Sequence, residues 1–214
     1  MPAAYVLFGD VIKSRRDAVS ATAWLRTISA EFAAAYPPQH RIARFEFTQG
    51  DELQGLLTPS ADPLVAVLRA AFHPRRMEMR WVIVRGQVDP GRGPATQRSG
   101  PAFIDARERL ITAAARRERL AVRSGDAATD DVLDGIAPLV GDLLAELTLR
   151  QREIARLLLV DGLRRADAAE RLGVSRATIS VAADRAHLRW LGGAIDVIRT
   201  LLVRSAPDPA TMLG

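Results

Sequence analysis

A chain of 214 residues, 48% hydrophobic and 26% charged, is long enough for one large domain or two modest ones with real cores. The absence of cysteine excludes disulfides, thiolate metal sites and thiol nucleophiles. No run of about 18 apolar residues reads as a membrane span, and the first residues lack a signal-peptide pattern, so a cytoplasmic location is expected. The net charge of +5 suits a polyanionic partner.

From the N-terminus, "AYVLFGDVI" reads as a strand and "DAVSATAWLRTISAEFAAAY" as a helix. Val19, Trp24, Ile28 and Phe32 fall on one face of that helix, which stops at Pro37-Pro38. "RIARFEFTQGDELQGLL" reads as two strands about a tight turn, and "DPLVAVLRAAF" as a helix opened by an acid and a proline. Next come a strand, "EMRWVIVRGQV", a glycine-proline loop, "DPGRGPATQRSG", a helix, "PAFIDARERLITAAARR", and a short strand, "RLAVRS". The order β-α-β-β-α-β-α-β predicts an α/β or α+β sandwich, a sheet with helices on one face.

Residues 126–139 carry four aspartates and no basic residue. They separate two net-basic halves, so 1–126 is expected to be one domain, 127–139 an acidic linker, 140–205 an all-α domain and 206–214 a flexible tail. The all-α part divides into helices over Leu139–Leu147, Thr148–Val160, Arg165–Leu172, Ser175 to about Trp190, and roughly Leu191–Val203. His40, His73 and His187 are isolated and read as surface or capping residues. Gly91-Arg92-Gly93 reads as a loop, and Trp24, Trp81 and Trp190 as core.

Within the second half, "AERLGVSRATIS" meets the demands of a helix-turn-helix together. Ala169 is the small residue where two helices touch, and Gly173 stands in the turn. Leu172, Val174 and Ile179 lock the second helix, and Ser175 is its N-cap. With "LTLRQRE" before it, the segment resembles the helix-turn-helix of sigma-factor region 4 and of LuxR-type regulators. The resemblance implies that the second helix enters the major groove of DNA. Arg176, Thr178 and Ser180 would then point outward, with Ala177, Ile179 and Ala182 or Ala183 packed inward. Arg176 suits guanine, and Arg150, Arg165 and Arg185 suit phosphates.

In the first half, Asp10 ends one strand and Asp51 sits at a hairpin tip, with Gly9 and Gly50 before them. Two aspartates on adjacent strands can share Mg²⁺, and the ion can hold a triphosphate. The order of "GDVIKSR", "TQGDELQGLL", "VIVRGQVDPGRG" and "GPAFIDARERL" resembles class III nucleotidyl cyclases and, more distantly, GGDEF diguanylate cyclases. It looks most like the SatD family of bacterial proteins. That resemblance covers roughly residues 4–125. It implies a ferredoxin-like, nucleotidyl-cyclase-like sandwich, Mg²⁺ with a nucleotide as ligand, and Asp10, Lys13, Ser14, Arg15, Asp51 and Glu52 facing it. Ile104 stands where cyclases have an asparagine. Arg107 and Arg109 each fall one residue from the cyclase arginine, and Arg107 is counted with the ligand-binding set. The expectation is a homodimeric, DNA-binding transcriptional regulator with a cyclase-like ligand domain. The alternatives are a metal-dependent nucleotidyl cyclase or transferase tethered by its helices, and a scaffold whose first domain only dimerises.

Overall fold

In the computed structural model, which describes residues 3–47 and 51–204, five strands form one mixed sheet in the order β2-β3-β1-β4-β5. Gly50, the Arg15 side chain and the tail 206–214 lie outside the described residues. β1 (Ala3–Val11) is central, antiparallel to both β3 (Glu52–Leu57) and β4 (Met79–Gln87). β2 (Arg41–Phe47) pairs with β3 at one edge, and β5 (Leu120–Arg123) lies parallel to β4 at the other. The expected strand and helix order of this half is found, and the class is α+β.

The helices do not lie on one face. β1 is buried on both sides, because Ala4 to Phe8 is apolar at every position rather than at alternate ones. Tyr5 and Leu7 join a core with α1 (Ala18–Ala35) and α2 (Leu64–Ala71). Ala4, Val6 and Phe8 join a smaller core beneath α3 (Pro101–Arg116) on the opposite face. α1 opens on Asp17, whose carboxylate accepts from the Ser20 amide, and closes at Tyr36 before the prolines. Its buried face carries Trp24, Ile28 and Phe32, but Val19 is 83% exposed.

The acidic stretch 127–139 is not a linker. It is the first part of α4 (Ala127–Glu146), and two of its aspartates, Asp130 and Asp134, have partners on other elements. Asp126 caps the helix by accepting from the Thr129 amide. Asp130 accepts from the Ser124 amide and hydroxyl, and Asp134 pairs with Arg109 of α3 and Arg123 of β5. The i, i+4 spacing of Asp130 and Asp134 places both on one flank of α4, against Arg109 of α3 and Arg123 of β5.

α4 packs on β5, and its Leu133, Ala137, Val140 and Leu144 share one core with the sheet. α5 (Leu149–Ala155) continues into a single π-helical turn, Arg156–Val160, followed by α6 (Arg165–Leu172), α7 (Arg176–Arg185) and α8 (Leu188–Arg204). The expected helix to Trp190 ends earlier, because His187 takes φ +51° and the chain turns into α8. Trp190, expected in the core, is 68% exposed. Polar ties cross between the halves: Arg76 donates to the Leu144 and Ala145 carbonyls, Arg152 to the His73 carbonyl, and Arg199 pairs with Asp62. Among the described residues no helix is long and apolar enough to cross a membrane.

Candidate functional site

Two places carry the candidate residues. The first is the carboxylate edge at the end of β1. Asp10 stands directly opposite Glu52 on β3 and Arg80 on β4. Facing cross-strand partners share a side of the sheet, so all three project with Phe8 toward the α3 face. Arg80 Nη1 donates to Asp10 Oδ2 at 2.9 Å, and its Nε donates to the Glu118 carbonyl at 3.1 Å. Asp51 begins the return of the hairpin. Its carbonyl accepts from the Val11 amide at 3.0 Å, and its Oδ2 accepts from the buried Ser14 hydroxyl.

Burial raises the Asp10 pKa to about 6, with the nearby Asp51 charge adding to it and Arg80 opposing. Glu52 is ion-paired. Both terminal nitrogens of Arg107 bind its carboxylate, Nη2 to Oε1 at 2.8 Å, and Gln54 Nε2 donates to it at 2.7 Å. Arg107 also lies 4.8 Å from the centre of the Phe8 ring. Lys13 is exposed, with φ +61° at the turn after β1. An open groove, lined in part by Phe8, Gln54, Arg98, Phe103 and Arg107, runs from this edge toward the start of α3.

The structure thus brings Asp10, Ser14, Asp51, Glu52 and Arg107 to one edge, and adds Arg80, Gln54 and Phe8, which sequence reasoning missed. Their only signal is strand register, which sets Arg80 opposite Asp10. Among the described residues no three His, Asp or Glu side chains are grouped to hold a metal ion. Asp10 and Asp51 each keep one oxygen, Oδ1, without a hydrogen-bond partner among the described residues. The hard oxygen donors fit Mg²⁺, but only as two protein ligands, with water or phosphate completing the shell.

The second place is the α6–α7 pair. Gly173, at φ +63°, ends α6, and the Val174 amide returns to the Ala169 carbonyl at 3.0 Å. Ser175 Oγ accepts from the Thr178 amide at 3.1 Å and caps α7. Ala169, Ile179 and Ala183 are buried where the helices meet. Thr148 and Gln151 form a reciprocal capping box at the start of α5.

The outer face of α7 presents Arg176, Ala177, Thr178, Val181 and Arg185. Ala177, expected inward, is exposed, and Ser180, expected outward, is half-buried. The reason is helical phase. Ile179 and Ala183 define the buried side, which leaves Ala177 and Val181 opposite and turns Ser180 to the flank. Arg176 and Arg185 have no ion-pair partner among the described residues, whereas Arg150 pairs with Glu153 and Arg165 with Asp184. Concavities flank α7 on two sides. One joins Arg176 to Arg164 and Arg165, the other joins Thr178 and Arg185 to Thr148, Arg150 and Gln151.

Comparison with family models and with curated proteins finds no match to this chain.

Proposed function

We propose that the protein is a DNA-binding transcriptional regulator of the cytoplasm, with α7 as the helix that reads the major groove. The observation that carries this reading is the exposed face of α7, uncommitted to any core and flanked on two sides by arginines. Arg176 lies at its N-terminal end, where a recognition helix meets base edges, and its guanidinium has no ion-pair partner among the described residues. Arg150, Arg165 and Arg185 are phosphate contacts, and Ser175 sets the start of the helix. The test is DNA selection followed by fluorescence anisotropy at fixed salt. Arg176→Ala should weaken the selected site about tenfold or more while leaving the salt slope nearly unchanged. Equal affinity for selected and random duplexes would sink the reading.

The sheet half, on this proposal, has the ferredoxin-like, cyclase-like architecture of the SatD resemblance. It binds a nucleotide at the carboxylate edge and takes part in homodimerisation. Asp10 and Asp51 would hold Mg²⁺, which supplies charge neutralisation for a polyphosphate when bound. Lys13, Ser14 and Arg107 border the same edge. α1 starts shortly after Lys13, and its Glu31 holds Arg156 in the helical half, giving a covalent and packed route between the sites.

The enzyme reading retains one supporting observation, the carboxylate pair with one oxygen on each member unpartnered among the described residues. Against efficient cyclisation, Ile104 is an exposed apolar side chain where a cyclase has an amide. Incubation with nucleoside triphosphates and Mg²⁺ or Mn²⁺ separates the readings, since only an enzyme yields a cyclic or transferred product that Asp51→Ala abolishes.

A further inference from the structure

Two helices of this fold leave apolar stripes uncovered, and the stripes lie side by side. On α4 the stripe is Val132, Leu139 and Leu143, with Leu139 64% exposed, and the half-buried Ile136 continues it. On α8 it is Trp190 and Val197, joined by the half-buried Ala194. Steps of three and four residues, repeated along both helices, are the spacing of a helix–helix seam.

The flanks of each helix fix where these stripes point. The α4 flank carrying Asp130 and Asp134 is held against Arg123 and Arg109, so the stripe lies on the flank nearer α8. On α8, Gly192 lies against Leu159 of the π-helical turn, so the opposite flank, with Trp190 and Val197, is the one nearer α4. α4 and α8 pack on each other. α4 starts just past Arg123, at the same end of the sheet as Tyr5, and α8 finishes there, where the Leu202 carbonyl accepts from the Tyr5 hydroxyl at 3.5 Å. The two helices are therefore antiparallel, and their stripes merge into one apolar face.

We propose that this face is the docking surface for a second copy of the chain, closing an antiparallel four-helix bundle about a two-fold axis parallel to the helices. Charge selects this occupant. Asp131 near the start of α4 and Glu146 at its end have no ion-pair partners among the described residues. Nor do Arg189 and Arg204 at the start and end of α8, with Arg189 resting over the Trp190 ring. The two-fold lays α4 of each copy along α8 of the other, antiparallel. Asp131 then meets Arg204 of the second copy and Glu146 meets its Arg189, so opposite charges coincide at both ends. An isologous contact repeats each of these pairs.

This face serves the homodimer of the proposed regulator, and its formation does not depend on DNA binding. Sedimentation velocity on the full chain, without DNA, tests it. The wild type should sediment as a dimer at micromolar concentration, and Leu139→Glu as a monomer with an unchanged far-UV spectrum. Asp131→Arg should raise the dimer dissociation constant at least tenfold, and adding Arg204→Asp to the same chain should restore it. A monomeric wild type, or a dimer indifferent to both Leu139→Glu and the charge exchange, would overturn the proposal. A monomeric Leu139→Glu that still binds a single DNA half-site separates the dimer face from the DNA reading.

Discussion

Arg156, in the π-helical turn after α5, reaches Glu31 of α1 at 3.3 Å, and His73 approaches the same carboxylate at 3.9 Å. The pair joins the helix that begins beside the carboxylate edge to the segment that leads into α6 and α7. Glu31 Oε2 is buried without a hydrogen-bond partner among the described residues, so the cluster is not fully satisfied and is open to rearrangement.

Glu31→Gln should therefore loosen the helical half before the sheet. Removing one member of a part-buried pair leaves the arginine uncompensated, at a cost of about 1–2 kcal/mol. Hydrogen exchange is expected to rise in α5 and the π-helical turn, with β1 and β4 unchanged. Uniform loss of protection across the sheet would mean the pair serves global stability instead.

The Asp10 carboxyl gives a pH dependence of definite sign. Its folded pKa, about 6, exceeds the ordinary aspartate value of 3.8, so the neutral acid is the form the fold prefers. That contribution is fully present below about pH 4 and is lost as the pH rises through 6, on the order of 1–2 kcal/mol after solvent screening. Asp10→Asn should thus raise Tm at pH 8 and not at pH 4. Mg²⁺ with a nucleoside triphosphate should raise the wild-type Tm above pH 6 and lose the effect at pH 5. A pH-independent difference between the two proteins would remove the basis for both expectations.

Gly55, in the middle of β3, has no room for a side chain, because an added Cβ would overlap the Phe45 ring. The ring is itself fixed between Phe32 and Tyr36. Gly55→Ala should cost about 2–3 kcal/mol in chemical denaturation, and Phe45→Leu in the same chain should recover part of it.

Gly173 is under a different constraint. Among the described residues, nothing beyond its chain neighbours lies within 4 Å of the position of its Cβ, so its φ of +63° is what resists substitution. Gly173→Ala should cost about 1 kcal/mol and Gly173→Asn less, since asparagine tolerates this region. A DNA-affinity loss larger than the stability loss would point to a shifted α7.

What could be read from the sequence tracked the range of the interactions involved. The α6–α7 turn was legible because Ala169, Gly173, Ser175 and Ile179 act within a few residues of one another. The succession of strands and helices was legible from glycine and proline punctuation. The side of the sheet taken by α3 was not, since β1 is apolar at successive positions and periodicity is silent there. The aspartates of α4 looked like a solvated linker because Arg109 and Arg123, their partners, come from other elements. Arg80 and Gln54 join the carboxylate edge through strand register, which no local pattern encodes.

The π-helical turn at Arg156–Val160 has a consequence for chain length. Such a turn accommodates one residue more than regular α winding. Deleting any single residue there should let the helix close with regular winding, the lost residue being taken up within the turn and the 161–164 segment before α6. The outward face of α7, set by the burial of Ile179 and Ala183, is thus buffered against a change of length at this point. A homologue lacking that one residue should present the same α7 side chains from an otherwise matching segment.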